Sequence, residues 1–173
     1  MRHTLLACAL LALSPLAIAA EPSATTPPPP AHHAEPSVEL RAAVAGEWRT
    51  AEFRARDGFR NPAETLAFFG LQPGQTVVEI TPGGGWYAEI LAPFLRDGGT
   101  YVAAIVDPAA LPEGRGRDYQ QRQKDALEKK FADAPAQYDQ ATFVAYDPAA
   151  PRFGAPGSAD LVVTFRNVHN WVG

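Results

Sequence analysis

A carboxylate, Glu79, stands four residues before the first of three consecutive glycines, Gly83, Gly84 and Gly85. Two more carboxylates, Asp107 and Asp147, close later apolar runs. Glycines in such a turn let the backbone approach a ligand and aim amide hydrogens at it. Asp107, 22 residues beyond Gly85, is spaced to accept hydrogen bonds from ribose hydroxyls. Asp147 suits an adenine amine, and Glu79 suits orienting the loop or meeting a cationic amine. Three carboxylates repel a pyrophosphate and favour a ligand that carries a sulfonium and an ammonium. Farther along, Arg166 is a candidate contact for an anion. His169, with Asn170 beside it, is a candidate general base, because a neutral imidazole near pH 7 can take a proton from oxygen or nitrogen.

Each of these residues also has a plainer reading. Three glycines after a strand can be a tight turn, and Asp107-Pro108 and Asp147-Pro148 can be simple turn starts. Trp86 and Tyr87 can pack in a core or stack on a ligand. His169 and Asn170 can be a satisfied polar pair at a strand end, and Arg166 can face solvent.

The groups are positioned by alternating helices and strands. Residues 39–50 read as a helix ending near Trp48. Asn61-Pro62-Ala63-Glu64 reads as a helix start with Asn61 as N-cap, and the helix carries Leu66, Phe68 and Phe69 inward to a stop at Gly70. Strands are expected at 76–81, 100–106, 141–146 and 160–165. Helices are expected from Trp86 to Leu95 and over 117–132, the latter burying Tyr119, Leu127 and Phe131. Short continuous apolar strands separated by helices predict an α/β fold with a parallel sheet. A ligand in such a sheet sits beyond the carboxyl ends of the strands.

The stretch from Pro73-Gly74-Gln75-Thr76-Val77 through Gly85 resembles the first motif of the class I S-adenosylmethionine-dependent methyltransferases, with Glu79, Thr81, Gly83 and Gly85 in the matching positions. Tyr146 to Val163 is similar to that family's stretch in which an acid for adenine precedes a loop and the fourth strand. Asp147 and Asp160 match its two acids, and Ala159 to Val162 matches the strand opening. Thr164 to Trp171 falls where the family holds residues near the methyl group and the acceptor. The likeness spans roughly residues 60–171. It implies a Rossmann-like sheet and S-adenosylmethionine as cofactor, with Glu79, Thr81, Gly83, Gly84, Gly85, Asp107, Asp147 and Arg166 in contact with it. His169 and Asn170 would then border the reacting methyl. The family's sheet has seven strands, so residues 39–173 would supply the first four of them. Trp86-Tyr87 is bulkier than the family's usual residues there, and Thr81-Pro82 replaces a glycine-led start.

Two rivals use the same residues. Gly83, Gly85 and Ala88 satisfy a glycine-x-glycine-x-x-alanine pattern, and with Asp107 they would suit a nicotinamide-dependent oxidoreductase. A binding protein that keeps the sheet without catalysis is the other, because fold does not fix function.

The amino-terminal segment carries its own signals. Arg2 and His3, the apolar run Leu5 to Leu13 and the Ala17-Ile18-Ala19 cleavage signal read as a secretory signal peptide over residues 1–20, cleaved near Ala19 or Ala20, which predicts a periplasmic or secreted protein. The apolar run is shorter than the ~20 residues of a membrane span. Residues 21–38 are proline-rich and read as an extended linker, with His32 and His33 a solvated pair. Cys8, the only cysteine, lies in the expected leader, so the mature chain has neither disulfide nor cysteine metal site. The 173 residues include 15 basic and 19 acidic ones, a net charge of −4 that becomes −5 with the loss of Arg2. Such a chain is not built to grip nucleic acid or an anionic membrane. The acceptor of a transferred methyl is not specified by these residues.

Overall fold

The computed structural model describes residues 34–171; the expected leader, His32, His33 and most of the linker lie outside them. The described elements run α1 (Val38–Val44), α2 (Ala51–Arg54), α3 (Asp57–Arg60), α4 (Pro62–Phe68), β1 (Thr76–Ile80), α5 (Ala88–Leu95), β2 (Thr100–Val106), α6 (Arg115–Asp133), α7 (Pro135–Tyr138), β3 (Thr142–Tyr146) and β4 (Leu161–Val163). Single 3₁₀ turns follow β2 and β4, at Pro108–Ala110 and Val168–Asn170. No helix among the described residues is long and apolar enough to cross a membrane.

All four strands are parallel, in the order β3-β2-β1-β4, and helices flank them. This is an α/β fold consistent with a Rossmann-like arrangement. The chain leaves β1 for β2 and β3 on one side, then returns to place β4 on the other side of β1. Connections therefore diverge between β1 and β4, and a parallel sheet of this kind opens a ligand crevice at the carboxyl ends of such strands.

Strand alternation sorts the side chains by face. Val77, Tyr101, Ala103 and Ile105 enter one large core with Leu40, Leu66, Ile90, Leu91, Leu127 and Phe131 from the helices. Val78, Val102, Ala104, Val106 and Tyr146 face the other way, packed by Phe153 and Ala159 of the long β3–β4 loop. Asp160, expected as one of two matching acids, has a structural task here. Its Oδ2 accepts from the Thr76 amide at 2.7 Å and its own amide donates to Thr76 at 2.9 Å, which docks the start of β4 on β1.

Several local expectations change. The helix foreseen over 39–50 ends at Val44, and the chain then folds through turns into the short α2 and α3. Ser37 caps α1, its Oγ accepting from the Leu40 amide at 3.1 Å. Asn61 closes α3 in a left-handed conformation (φ 43°) and makes no side-chain cap bond to α4, although Pro62 does occupy the first turn. Phe68 and Phe69 are exposed while Leu66 is fully buried, because α4 turns only one narrow face to the core. Tyr119 is likewise exposed, leaving Leu127 and Phe131 as the buried anchors of α6.

The helix after the glycines begins at Ala88, not Trp86. It carries Pro93 in its interior, and a proline there has no amide hydrogen for the carbonyl four residues back. That carbonyl belongs to Glu89, and it accepts instead from the Trp48 indole at 2.9 Å. The turn after α1 thus supplies the hydrogen bond that Pro93 removes.

Candidate functional site

The glycine turn sits on the carboxyl end of β1. Thr81, immediately before it, takes φ 55°, a left-handed conformation that strains a β-branched residue. Three neighbours hold it there. Its amide donates to Ala104 at 2.8 Å, its hydroxyl shares a hydrogen bond of 2.8 Å with Tyr146, and its carbonyl accepts from Asn167 Nδ2 at 3.0 Å. Arg166 is similarly left-handed (φ 62°), beside Asn167 on the turn that leaves β4. Thr164 joins the two strand ends, donating to Ile80 at 3.0 Å while accepting from Asn167 at 3.1 Å. Strain of this kind concentrates at functional sites because the surroundings must over-determine it.

Gly83 and Gly85 both have positive φ, at 57° and 84°. Their surroundings differ. A Cβ on Gly85 would stand 2.8 Å from Leu127 Cδ1, so this glycine lets α6 pack under the turn. A Cβ on Gly83 would meet nothing within 4 Å, so that side of the turn is open. Among the described residues no acceptor engages the amides of Gly83 or Gly84. The Gly84 carbonyl is tied down by Lys130 Nζ at 3.2 Å.

The three expected carboxylates share one strand parity, with Asp107 and Asp147 immediately past the ends of β2 and β3. Glu79 is opposite Ala103 and Ala103 is opposite Phe143, so Asp107 and Asp147, each four residues farther, share the parity of Glu79. Their heights differ. Asp107 and Asp147 lie side by side at the rim, with the Asp107 amide donating to Tyr146 at 2.8 Å. Each starts a turn through Oδ1, which accepts from Ala109 (2.9 Å) and Ala149 (2.8 Å) respectively, and each leaves Oδ2 without a protein donor among the described residues. Glu79 lies deeper, beneath the loop, where Tyr101 donates to it at 2.7 Å. Burial raises its pKa to about 7, and the Tyr101 hydrogen bond only partly offsets this. Burial and the neighbouring Glu79 push the Tyr101 phenol well above its ordinary value.

A cavity of about 320 Å³ opens between the ends of β1 and β4, lined by Arg60, Glu79, Thr81, Pro82, Trp86, Tyr87, Thr164, Phe165 and Arg166. A larger hollow of about 420 Å³, lined by Trp48, Pro73, Gly74 and Gly98 among others, lies at the amino ends of the strands, away from the glycine turn. Trp86 and Tyr87 are buried, and they both pack and wall the cavity. The Trp86 indole donates to Phe53 at 2.9 Å, and the Arg60 guanidinium lies over its ring, 4.5 Å from the centroid. Tyr87 stacks face to face with Phe165.

Of the residues singled out from sequence, Glu79, Thr81, Trp86, Tyr87 and Arg166 line this cavity. Gly83 opens instead onto a small recess beside α6, bordered by Tyr119, Gln123 and Lys124. His169 is exposed on the 3₁₀ turn Val168–Asn170 and is not among the cavity's lining residues, and the backbone of Asn170 belongs to the same turn. Arg60 and Tyr101 belong to the site and carry no sequence motif, while Thr164, Phe165 and Asn167 fall in the stretch Thr164 to Trp171 without being singled out there. Among the described residues no three His, Cys, Asp or Glu side chains converge on a possible metal. Compared with known proteins, the chain matches no family model and no curated protein.

Proposed function

We propose that the chain binds S-adenosylmethionine at the carboxyl ends of β1, β2 and β3 and transfers its methyl group to a small acceptor. One observation carries this reading. An open glycine turn with two unengaged amides adjoins Glu79 on β1 and the carboxylates Asp107 and Asp147 just beyond the ends of β2 and β3. When bound, the cofactor supplies an electrophilic methyl on a sulfonium.

The chain's residues fit such a ligand. The free Oδ2 of Asp107 can accept from a ribose hydroxyl, and that of Asp147 from an adenine amine. Gly83 leaves room for close approach, and the amides of Gly83 and Gly84 remain available to ligand acceptors. Glu79 and Thr81 support the turn from beneath, while Arg166 offers a charge to a carboxylate at the cavity mouth. Methyl transfer is an in-line displacement, so the protein's work is to align donor and acceptor and to exclude water. Trp86, Tyr87 and Phe165 provide the apolar wall for that. Within the cavity Glu79 is the group able to accept a proton near neutral pH. The leader-like first twenty residues place this activity outside the cytoplasm in the same proposal.

Calorimetric titration with S-adenosylmethionine, S-adenosylhomocysteine and NAD tests the binding step. Binding of the two sulfur nucleosides, weakened about tenfold or more in Asp107→Ala, is expected. Saturable binding of NAD alone would overturn the proposal. A second reading, binding without transfer, draws on the placement of His169 outside the cavity. Transfer of a labelled methyl group to an extract separates the two.

A further inference from the structure

The chain is acidic overall, yet its cavity is not. Arg60 and Arg166 both line it, and neither forms an ion pair among the described residues. They are close enough, with Arg56, for their mutual repulsion to add to burial in lowering the pKa of Arg60. The neighbouring acids are committed elsewhere. Asp57 is held in two hydrogen bonds by the buried Arg49, and Glu79 is buried under the Tyr101 hydroxyl and only partly ionised near neutral pH. Two guanidiniums without an ion-pair partner among the described residues thus line a shared hollow. The Arg60 guanidinium lies over the Trp86 ring, and the backbone of Arg166 is fixed by the left-handed turn that Asn167 pins to Thr81 and Thr164.

The rest of the wall is aromatic. Tyr87 and Phe165 stack beside the guanidiniums, and Thr81 and Thr164 add short polar groups. A guanidinium pair is a fork for a carboxylate, and an aromatic wall suits a flat or apolar body behind it. The volume of about 320 Å³ is at the small end for ligand sites, which favours a compact molecule over a polymer.

We propose that this cavity takes a small organic carboxylate, its anionic end paired with Arg60 and Arg166 and its body laid against Tyr87 and Phe165. The inference rests on the cavity and stands apart from methyl transfer. If transfer also holds, the carboxylate belongs either to the amino-acid end of the donor or to a separate acceptor acid.

The test is calorimetry on the purified chain with acetate, L-methionine, benzoate, phenylacetate and indole-3-acetate, and with benzyl alcohol as the neutral counterpart. At least one carboxylate is expected to bind saturably, with affinity falling as salt rises and weakened about tenfold or more in Arg60→Gln and in Arg166→Gln. Lys129→Gln, on an exposed stretch of α6, is expected to bind like the parent. Circular dichroism checks that each variant is folded, and the exposed Arg166 carries the test if Arg60→Gln is not. The proposal is overturned if no carboxylate binds more tightly than about 10 mM, if benzyl alcohol binds as well, or if both arginine variants keep full affinity. Competition by S-adenosylmethionine would assign the site to the donor's own carboxylate, and simultaneous binding would assign it to a separate acid. Carboxylate binding without any S-adenosylmethionine binding would sustain this inference while removing the methyltransferase reading.

Discussion

Tyr101 donates its phenolic hydrogen to Glu79 at 2.7 Å, with both side chains buried on the helix-covered face of the sheet. The two residues stand on adjacent strands, since Glu79 is opposite Ala103 and Tyr101 is the next residue of β2 on that face. A carboxyl placed so deep retains its proton far above the usual carboxylate range, and the phenol is the one hydrogen bond that moderates this. Glu79 thereby joins the floor of the cavity to the hydrophobic core beneath it.

Glu79 makes stability depend on pH. Its pKa is raised from 4.5 to about 7 in the folded chain, so the native state holds a proton that the unfolded chain releases. Its stabilising contribution is complete below about pH 4.5 and is lost as pH rises through about 7, a difference of roughly 3 kcal/mol. Urea unfolding at pH 5 and pH 8 should show the parent less stable at pH 8 on this account. Glu79→Gln should remove most of that difference, and an unchanged difference would contradict the assignment.

Tyr101→Phe should move the same titration upward. The lost hydrogen bond was holding the Glu79 pKa down, and the carboxyl would be left buried with one donor fewer. A stability loss of about 1–3 kcal/mol is expected near neutral pH. A carboxyl-carbon NMR titration should place the midpoint above that of the parent.

Arg49 and the partly buried Asp57 form a further polar pair at the edge of the core. The Arg49 side chain is fully buried, with bonds of 2.6 and 3.0 Å to Asp57 and one of 2.6 Å to the Val44 carbonyl, while its Nε has no partner. Asp57→Asn should therefore cost about 3–5 kcal/mol, because it strands a buried cation. Asp139→Asn breaks the more exposed pair with Arg96 and should cost about 1 kcal/mol or less. Chemical denaturation of the two variants side by side reads the contrast.

The glycine turn should separate folding from binding. Gly85→Ala combines a positive φ with a Cβ 2.8 Å from Leu127 and should lower the melting temperature clearly. Gly83→Ala meets open space, so only the left-handed backbone term of about 1–2 kcal/mol applies to its stability. The added methyl projects to the open side of the turn, where the proposed donor approaches, so Gly83→Ala should lose most of the affinity for S-adenosylmethionine. Thermal melts and titration on both variants check the split.

Much of this architecture is legible in local chemistry. Four apolar runs bounded by glycine, proline and aspartate mark the strands, and the glycines mark the turn that leaves β1. The same local signals mislead where tertiary packing decides. Phe68 and Phe69 fit a helix's inward face by type, but α4 is short and Leu66 already fills its contact with the core. Trp86 and Tyr87 look like the first turn of a helix until their rings are seen to be held by Phe53, Arg60 and Phe165 from three other segments.

The sequence by itself determined the α/β class, the parallel strands, the glycine turn and a carboxylate at or near the end of each of the first three strands. Composition, period and turn chemistry are local properties, and they suffice for that. Only the tertiary structure decided that β4 returns beside β1, that Glu79 sinks beneath the loop onto Tyr101, and that Arg60 meets Arg166 across a shared cavity. Those pairings join residues 22 or more positions apart. They are set by which faces bury apolar area together, and no local pattern records that.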